Sequence, residues 1–437
     1  MKVENETLST VHSQLSIEEN VPKLRFGEFE AEWTSNFLPK IAKIERGKFT
    51  PRPRNNPIYY NGNIPFVQTS DVANSNGYIR NFTQTLNEKG LGVSKLFAEN
   101  TVLITIAANI GYTGVLQIPM ACPDSLINLE PVNTDPYFLH FLLSTHQRKM
   151  DNIADPGAQK NVNKAFLNKY KVTYCLLPEQ QKIASFLSKV DEKIGLLSDK
   201  KDKLTEYKRG VMQQLFNGKW HEQDGQLNFV PPTLRFKADD GSEFPAWEER
   251  EFDDIFNFST GKNIKQNEAS PEFDTPCVRY GELYHMYGEV ITTVVNGTNL
   301  EHSELTFSNG NEILLPSAGE DPLDIGSASA LTLSDVAIGR TINVLRPKGN
   351  IDYCPVYVSF YINEKLRKKI STLARGASIS NVYNSDLRGL SLPLPSIEEQ
   401  YVIKSFLLKI EEKLKLTNSE LEKAKEWKKG LLQQMFV

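Results

Sequence analysis

The sequence contains two copies of one helix-forming segment, separated by a constant number of residues. Residues 178–194 read PEQQKIASFLSKVDEKI and residues 398–414 read EEQYVIKSFLLKIEEKL, which align without a gap. The segments also end alike, in RGVMQQLF (209–216) and KGLLQQMF (429–436), so that Gln433 lies 220 positions after Gln213 (433 − 213). A repeat of this length predicts two copies of one structural unit.

Apolar residues in both segments are spaced alternately four and three positions apart, from Ile183 to Leu215 and from Ile403 to Met435. This is the spacing of a heptad seam, here with Lys201 and Lys208 at two seam positions. The seams contain no proline, so each predicts a helix of about 38 residues, roughly 57 Å long. The residues expected at the helix and partner interfaces are Ile183, Phe186, Leu187, Ile194, Gln213, Gln214, Ile403, Phe406, Leu407, Leu414, Gln433 and Gln434.

Two seams of equal length and register favour an intramolecular helix pair. The alternatives are that each helix packs on its own domain or that the helices drive homodimerisation. The chain leaves the far end of the first helix and enters a whole domain, so we expect antiparallel packing. That arrangement would relate the two domains by an approximate two-fold axis.

The globular parts match less closely, through VPKLRF and PPTLRF (21–26 and 231–236) and through segments around Trp33 and Trp247. Short β-rich runs alternate with Gly, Pro and Asn, and one helix is predicted late in each part, around 136–150 and 356–370. The predicted fold class is α+β, with two tandem globular α/β domains joined by two long helices that form an antiparallel intramolecular coiled coil. The predicted limits are a disordered polar leader at 1–20, a first domain at 21–177, a helix at 178–216, a linker at 217–230, a second domain at 231–395 and a helix at 396–437.

Motifs for common catalytic chemistry are missing. The sequence has no P-loop, no GxGxxG after a strand, no HExxH and no Asn-Pro-Pro-aromatic step of the kind that holds a flipped adenine. The four cysteines are scattered, which predicts no zinc site and fits a reducing cytoplasm. The net charge of −4 argues mildly against nucleic acid, although a local basic face decides such binding.

Polar loops at matching places in the two repeats are the candidates for nucleic-acid binding. Arg and Lys suit phosphates and guanine edges, whereas Asn and Gln suit adenine edges. Taken singly, each residue is more simply a solvated loop side chain. The group is more informative, because the matching sites are polar in both repeats but differ in identity. The candidates are Lys48, Arg52, Arg54, Gln68, Thr69, Ser70, Gln159, Lys160, Asn161, Lys262, Arg279, Tyr280, Arg340, Arg375, Ser378, Ser380 and Asn381.

The paired EQ-x-x-I-x-x-F-L helix starts, the QQ-[LM]-F endings and the duplicated order of domain and helix resemble the specificity subunits of type I restriction-modification systems. The resemblance begins near Val21 and covers nearly all of the following chain. It implies a non-catalytic subunit whose two domains each read one half of a split, asymmetric double-stranded DNA target. The long helices would set the spacing of the halves and dock methyltransferase subunits, usually two, with restriction subunits completing the enzyme. S-adenosylmethionine, ATP and Mg²⁺ would belong to those partners.

One rival hypothesis is a coiled-coil scaffold or inhibitor that binds the methyltransferase without reading DNA. It is motivated by the acid-rich stretches 239–243 and 248–254 of the second domain. Another is an unrecognised nuclease, which would need a divalent metal to cleave.

Overall fold

A computed structural model describes residues 21–106, 109–153, 162–223, 226–349, 351–376 and 378–437. The predicted polar leader (1–20) lies outside these residues. The chain forms two compact units: unit 1 contains residues 1–198 and 419–437, and unit 2 contains residues 199–418. No helix of the described ranges is both long and apolar enough to cross a membrane.

Unit 1 alternates short strands with short helices before its long helix. In chain order its elements are β1 (Thr34–Phe37), β2 (Ala42–Arg46), β3 (Tyr60–Phe66), α1 (Thr69–Ala73), β4 (Tyr78–Ile79), β5 (Gln84–Leu86), α2 (Glu88–Gly92), β6 (Leu96–Phe97), β7 (Val102–Thr105), β8 (Thr113–Leu116), β9 (Met120–Ala121), β10 (Leu126–Pro131), α3 (Pro136–Thr145), α4 (Gln147–Ile153), α5 (Lys164–Asn168), β11 (Lys171–Tyr174) and α6 (Leu177–Leu215), whose first half belongs to this unit.

Unit 2 begins inside α6 and repeats this alternation. Its further elements are β12 (Lys219–Gln223), β13 (Gln226–Val230), β14 (Glu248–Glu251), α7 (Phe252–Ile255), β15 (Phe256–Thr260), β16 (Ala269–Ser270), β17 (Thr275–Val278), α8 (Tyr280–His285), β18 (Val290–Ile291), β19 (Asn296–Thr298), β20 (Phe307–Asn309), β21 (Glu312–Pro316), β22 (Ala318–Gly319), α9 (Pro322–Ile325), β23 (Ser329–Leu331), β24 (Ser334–Ile338), β25 (Ile342–Pro347), α10 (Pro355–Tyr361), α11 (Arg367–Leu373), β26 (Ser380–Asn381), α12 (Asn384–Leu387), β27 (Ser391–Leu394) and α13 (Ile397–Met435), of which the part up to residue 418 belongs to this unit and the rest to unit 1.

The sheets of the two units share one topology. The order β2-β10-β7-β8-β4 in unit 1 corresponds to β15-β25-β21-β23-β18 in unit 2, and β5-β3-β9-β6 corresponds to β19-β17-β24-β20, with β16 added at its edge. The central strands β7 and β21 are buried along their whole length, which explains the apolar runs at 102–104 and 313–315. The predicted α+β class with tandem domains and two long helices is confirmed.

One local prediction is wrong: the predicted helix at 136–150 is two helices, α3 and α4. The predicted helix at 356–370 is present as a continuous helical run in which a π-helical turn, Ile362–Leu366, joins α10 to α11. The segment predicted as a linker (217–230) contains the antiparallel pair β12 and β13. Short elements of this kind carry too few residues for a sequence period to locate their ends.

The two long helices, α6 and α13, have 39 residues each and run in opposite directions within unit 1. Trp33 contacts Glu179 at the start of α6 and Phe436 just beyond the end of α13. Asp191, further along α6, pairs with Lys428, which precedes Phe436. The direction of pairing is therefore antiparallel, as the sequence predicts.

Unit 2 shows the same arrangement. The start of α13 and the end of α6 meet around Trp247 and Tyr357, where Trp247 bonds Glu399 and Tyr357 packs on Phe216. The seam residues also pack on the globular core of their own unit: Ile183 and Leu187 in unit 1, and Ile403 and Leu407 in unit 2. Packing between helices and packing on a domain, which the sequence presented as alternatives, therefore occur together.

The repeated Glu-Gln pairs fasten each long helix to its unit. Glu179 accepts hydrogen bonds from Arg25 Nε at 2.7 Å and Nη2 at 2.8 Å, and from Trp33 Nε1 at 3.3 Å. Gln180 accepts from the Asp135 amide at 3.0 Å and donates to the Cys175 carbonyl at 2.7 Å.

In unit 2, Glu399 accepts from Arg235 Nε, Arg235 Nη2 and Trp247 Nε1, all at 3.0 Å. Gln400 repeats the role of Gln180 by accepting from the Cys354 amide at 2.9 Å. The Glu-Gln pair at the start of each long helix is therefore buried, and with its arginine and tryptophan partners it forms what we call the clamp of each unit.

Seam lysines form matching ion pairs in the two units. In unit 2, Lys208 pairs with Glu411 and, at 2.7 Å, with Glu289, and it lies 5.4 Å from the ring centroid of Phe360. Burial alone would lower the pKa of Lys208, but the two carboxylates outweigh burial and raise it above its ordinary value. The ammonium group therefore stays charged inside the helix interface.

Unit 1 repeats this pattern with other residues. Lys428 pairs with Asp191 at 2.5 Å and lies 5.3 Å from the ring centroid of Phe141. Burial raises the pKa of Asp191, and Lys428 opposes that shift.

Unit 1 is expected to lose stability in mild acid because it buries a neutral histidine. Burial, assisted by Lys428, lowers the pKa of His140 from 6.5 to about 3, and the imidazole Nδ1 lies 2.9 Å from the Thr113 hydroxyl. The unfolded chain takes up a proton near pH 6.5 and the folded chain does not, so this contribution is complete above pH 6.5 and declines as pH falls towards 3. His140 alone should cost about 2 kcal/mol at pH 5.

Urea unfolding at pH 7.5 and pH 5 measures this loss, with amide exchange in α3 reporting on unit 1. His140→Gln keeps a polar partner for Thr113 and should flatten the pH dependence. His285→Gln, at an exposed histidine, is the matched control. Equal pH slopes for wild type and His140→Gln would contradict the assignment.

Candidate nucleic-acid interface

Three backbone segments meet at one edge of unit 1 and carry its candidate residues. The Lys48 amide bonds the Cys122 carbonyl at 3.0 Å, and the Val67 amide bonds the Ala121 carbonyl at 3.0 Å. Gly47 permits this approach, because a Cβ there would lie 2.1 Å from the Pro123 carbonyl oxygen. Lys48, at the end of this turn, is exposed.

Arg52 and Arg54 of the predicted basic loop converge on one carboxylate. Asp124 accepts from Arg52 Nη2 at 3.2 Å and from Arg54 Nη2 at 2.5 Å. Arg46 Nε also donates to the Asp124 carbonyl at 2.7 Å. Both loop arginines remain about half exposed, so the carboxylate anchors them at the surface without burying them.

Gln68 is the N-cap of helix α1, and Thr69 and Ser70 are the first two residues of that helix. Asp71 accepts from the Gln68 amide at 2.8 Å, and Gln68 Nε2 donates to Gln84 Oε1 at 3.1 Å. The strand ends at Phe66 because the Asp71 carboxylate offers the Gln68 amide a partner outside the sheet.

The corresponding segments of unit 2 meet in the same way. The Lys262 amide bonds the Ile338 carbonyl at 2.9 Å, and the Arg340 amide bonds the Asn263 carbonyl at 3.0 Å. Gly339 donates to the Val278 carbonyl at 2.8 Å, which brings the residue after Val278, Arg279, to the same place. The structure therefore brings together three predicted residues that are far apart in sequence: Lys262, Arg279 and Arg340.

Arg279 is held by a buried carboxylate. Its Nε donates to Glu282 Oε1 at 2.9 Å and its amide to Glu282 Oε2 at 3.1 Å. Asn296 Nδ2 also donates to Glu282 Oε1 at 2.9 Å. The Glu282 side chain is 3% exposed and that of Arg279 is 24% exposed. Neighbouring Tyr280 is exposed.

The loop after α11 joins this group through strand pairing. Arg375 and Asn381 bond each other through their backbones at 3.0 and 2.8 Å, and Arg375 Nη2 bonds Asp386 at 3.0 Å. Ser317 connects this loop to the Arg340 segment, since its carbonyl accepts from Val382 and its amide donates to Thr341. Ser378 is exposed, whereas Ser380 lies half-buried in β26.

The remaining predicted residues fall elsewhere. Gln159, Lys160 and Asn161 lie outside the described residues. The side chains of Gln213, Gln214, Gln433 and Gln434 are exposed. The backbone carbonyls of Gln214 and Gln434 accept from the amides of Leu234 and Leu24, at 3.3 and 2.9 Å, so these bonds satisfy helix C-termini.

The chemistry of the two loop groups is that of polar and charged donors. Burial raises the pKa values of the nearby thiols of Cys122 and Cys277 to about 12, so both are neutral at physiological pH. Among the described residues, no group of His, Cys, Asp or Glu could hold a metal ion.

Sequence reasoning missed Asp124, Glu282 and Asn296. Glu282 had a signal, because an acid three residues after Arg279 matches the spacing of Asp71 after Gln68, and in both places the carboxylate accepts from the backbone amide three residues earlier. Asp124 had no such signal in the sequence, because it lies 72 residues from its partner Arg52.

A family model described as the type I restriction modification DNA specificity domain matches twice, at residues 30–206 and 246–426. The chain therefore belongs to this family of DNA specificity proteins.

Individual relatives agree with this assignment. A candidate type I restriction enzyme MjaX specificity subunit of Methanocaldococcus jannaschii is 23% identical over 433 residues, which is 95% of each chain. The MjaIX specificity subunit of the same organism is 25% identical over 308 residues, covering 67% of this chain and 68% of the relative. A crystal structure of a type I restriction-modification S subunit from M. genitalium shares the fold, with a TM-score of 0.61 at 17% identity over 95% of this chain and 99% of that one.

Proposed function

We propose that this chain is the DNA-recognition subunit of a type I restriction-modification complex and that each unit reads one half of a bipartite target. The observation that carries this proposal is the duplicated loop group on one duplicated frame. Lys48 in unit 1 corresponds to Lys262 in unit 2, whereas Gln68 corresponds to Arg279, so this second position carries a different donor in each unit. Different donors at equivalent positions suit different bases.

The proposal extends to partners and location. Methyltransferase subunits, usually two, would dock on the long helices, and restriction subunits would complete the enzyme. The methyl donor, ATP and Mg²⁺ would be bound by those partners, and the chain itself would be non-catalytic and cytoplasmic. The exposed glutamine pairs near the helix ends are candidates for partner contact.

Selection of double-stranded DNA by the full chain, purified with the methyltransferase subunits of its system, tests the proposal. The selected sequences should contain two short base blocks at a fixed spacing. Replacing the predicted first domain (21–177) with that of a relative should change one block and leave the other unchanged. Affinity should also fall steeply with salt, by a log–log slope of about −0.9 for each phosphate contacted. Sequence-independent binding, or a change in both blocks, would reject the proposal.

The rival function is a scaffold that binds the methyltransferase without reading DNA, and the same experiment separates the two. The acid-rich stretches that suggest this scaffold are partly neutralised by local ion pairs. Glu243 pairs with Lys237 at 3.0 Å, and Glu248 pairs with Arg250 at 2.7 Å. Methyltransferase binding that abolishes DNA affinity would favour this rival.

A further inference from the structure

We propose that Arg279 reads a guanine in the half-site bound by unit 2 and that Glu282 is the positioning residue that orients it. This inference rests on the proposed function and names the base that one residue recognises. It depends on the hydrogen-bond pattern around Arg279, which leaves one end of the guanidinium unused.

The Nε side of the guanidinium is fixed. Glu282 takes the Nε hydrogen at 2.9 Å and the Arg279 backbone amide at 3.1 Å, so one carboxylate fixes both ends of the residue. Asn296 bonds the same carboxylate at 2.9 Å and prevents it from turning away. Because the Glu282 side chain is 3% exposed, water competes little for these bonds.

The other end of the guanidinium is available. Within the described residues, Nη1 and Nη2 of Arg279 have no hydrogen-bond acceptor, and the side chain keeps 24% of its exposure. Two parallel N–H donors at the end of an arginine match the O6 and N7 acceptors of guanine in the major groove. Prior fixation of the side chain lowers the conformational entropy lost when that pair of bonds forms.

The surroundings suit a base reader rather than a buried structural arginine. Lys262 and Arg340 are exposed on the two neighbouring segments, where cations can bind phosphates on either side of the base. A second observation comes from unit 1, whose equivalent residue is Gln68. Its amide nitrogen is oriented by Gln84 at 3.1 Å, and an oriented glutamine matches adenine. The equivalent position thus carries Arg279 in unit 2 and Gln68 in unit 1, and these two side chains are the ones best suited to guanine and adenine.

The test uses the full chain with its methyltransferase subunits and measures base preference in the selected DNA. Wild type should require guanine at one position of the unit 2 half-site. Arg279→Gln should lower the preference for guanine over adenine at that position by about ten- to a hundredfold. Glu282→Gln should lower it by about tenfold while leaving methyltransferase binding unchanged. Arg250→Gln is the matched control, because Arg250 also bonds a nearby glutamate, Glu248, but lies outside the loop group.

A second measurement changes the DNA rather than the protein. Replacing that guanine with 7-deazaguanine removes the N7 acceptor and nothing else from the groove edge. Wild-type affinity should fall about five- to tenfold, and the affinity of Arg279→Gln should not change further.

The outcomes separate this inference from the proposed function. A bipartite sequence whose guanine preference is unchanged in Arg279→Gln would reject the inference alone and leave Arg279 with a role in helix capping. Wild-type affinity unaffected by 7-deazaguanine at every guanine of the half-site would also reject it. The absence of any selected sequence would reject both.

Discussion

Replacing Glu399 with alanine is expected to destabilise unit 2 by about 3 to 5 kcal/mol, because it leaves a buried cation without its partner. The Glu399 side chain is fully buried and that of Arg235 is 16% exposed. The substitution also removes the acceptor of Trp247 Nε1, which a neutral core cannot replace. The midpoint and slope of urea unfolding measure the loss.

Glu398→Ala is the matched control, since Glu398 is adjacent in sequence and exposed. It should change stability by less than about 0.5 kcal/mol. The double variant Arg235→Ala, Glu399→Ala should lose less than the sum of the two single losses, because the two residues share their bonds. Strict additivity, or a loss for Glu399→Ala as small as that of the control, would show that the clamp contributes little. Glu179→Ala should reproduce the effect in unit 1.

Replacing Gly261 with alanine is expected to cost about 3 kcal/mol, the upper part of the range for overpacked sites. A Cβ at Gly261 would lie 2.0 Å from the Gly339 carbonyl oxygen and 2.6 Å from that of Ile338. Both obstacles are backbone atoms, so no side-chain rotation can relieve the contact. The strand end would have to move, and the Lys262–Ile338 hydrogen bond would break with it.

Gly281→Ala provides the control, because the nearest atom to its Cβ would be 3.9 Å away. Urea unfolding should separate the two variants, and amide exchange should increase at Lys262 and Arg340 in Gly261→Ala only. Gly47→Ala should behave similarly in unit 1, where the Pro123 carbonyl oxygen would lie 2.1 Å away. Equal stability of Gly261→Ala and Gly281→Ala would contradict the argument.

The long helices and the duplication were predictable from sequence because their signal is local and periodic. Heptad spacing from Ile183 to Leu215 extends over many turns, so small errors at the ends do not change the conclusion. The sheets were less predictable. Strands such as β4 and β9 have two residues each and exist only through pairing with distant segments. No local pattern encodes such pairing.

The loop candidates were predictable as polar positions but not as a geometry. The matching Gly-Lys steps at 47–48 and 261–262 were visible in the sequence, whereas the backbone contacts that make glycine necessary there were not. The ion pair of Arg52 with Asp124 joins residues 72 positions apart, so composition and spacing could not show it. Ion pairs between residues that are distant in sequence can be identified only from the three-dimensional structure.

The paired seam lysines have a consequence for the alignment of the helices along their length. An apolar seam repeats every seven residues, so a slip by one heptad would preserve much of its contact. The pairs of Lys428 with Asp191 and of Lys208 with Glu411 do not repeat in that way, because no carboxylate lies seven residues before or after Asp191 or Glu411, and a slip would leave each buried lysine without its partner. Each unit therefore contains one buried ion pair that fixes the register of its helices, so that α6 and α13 can align along their length in only one way.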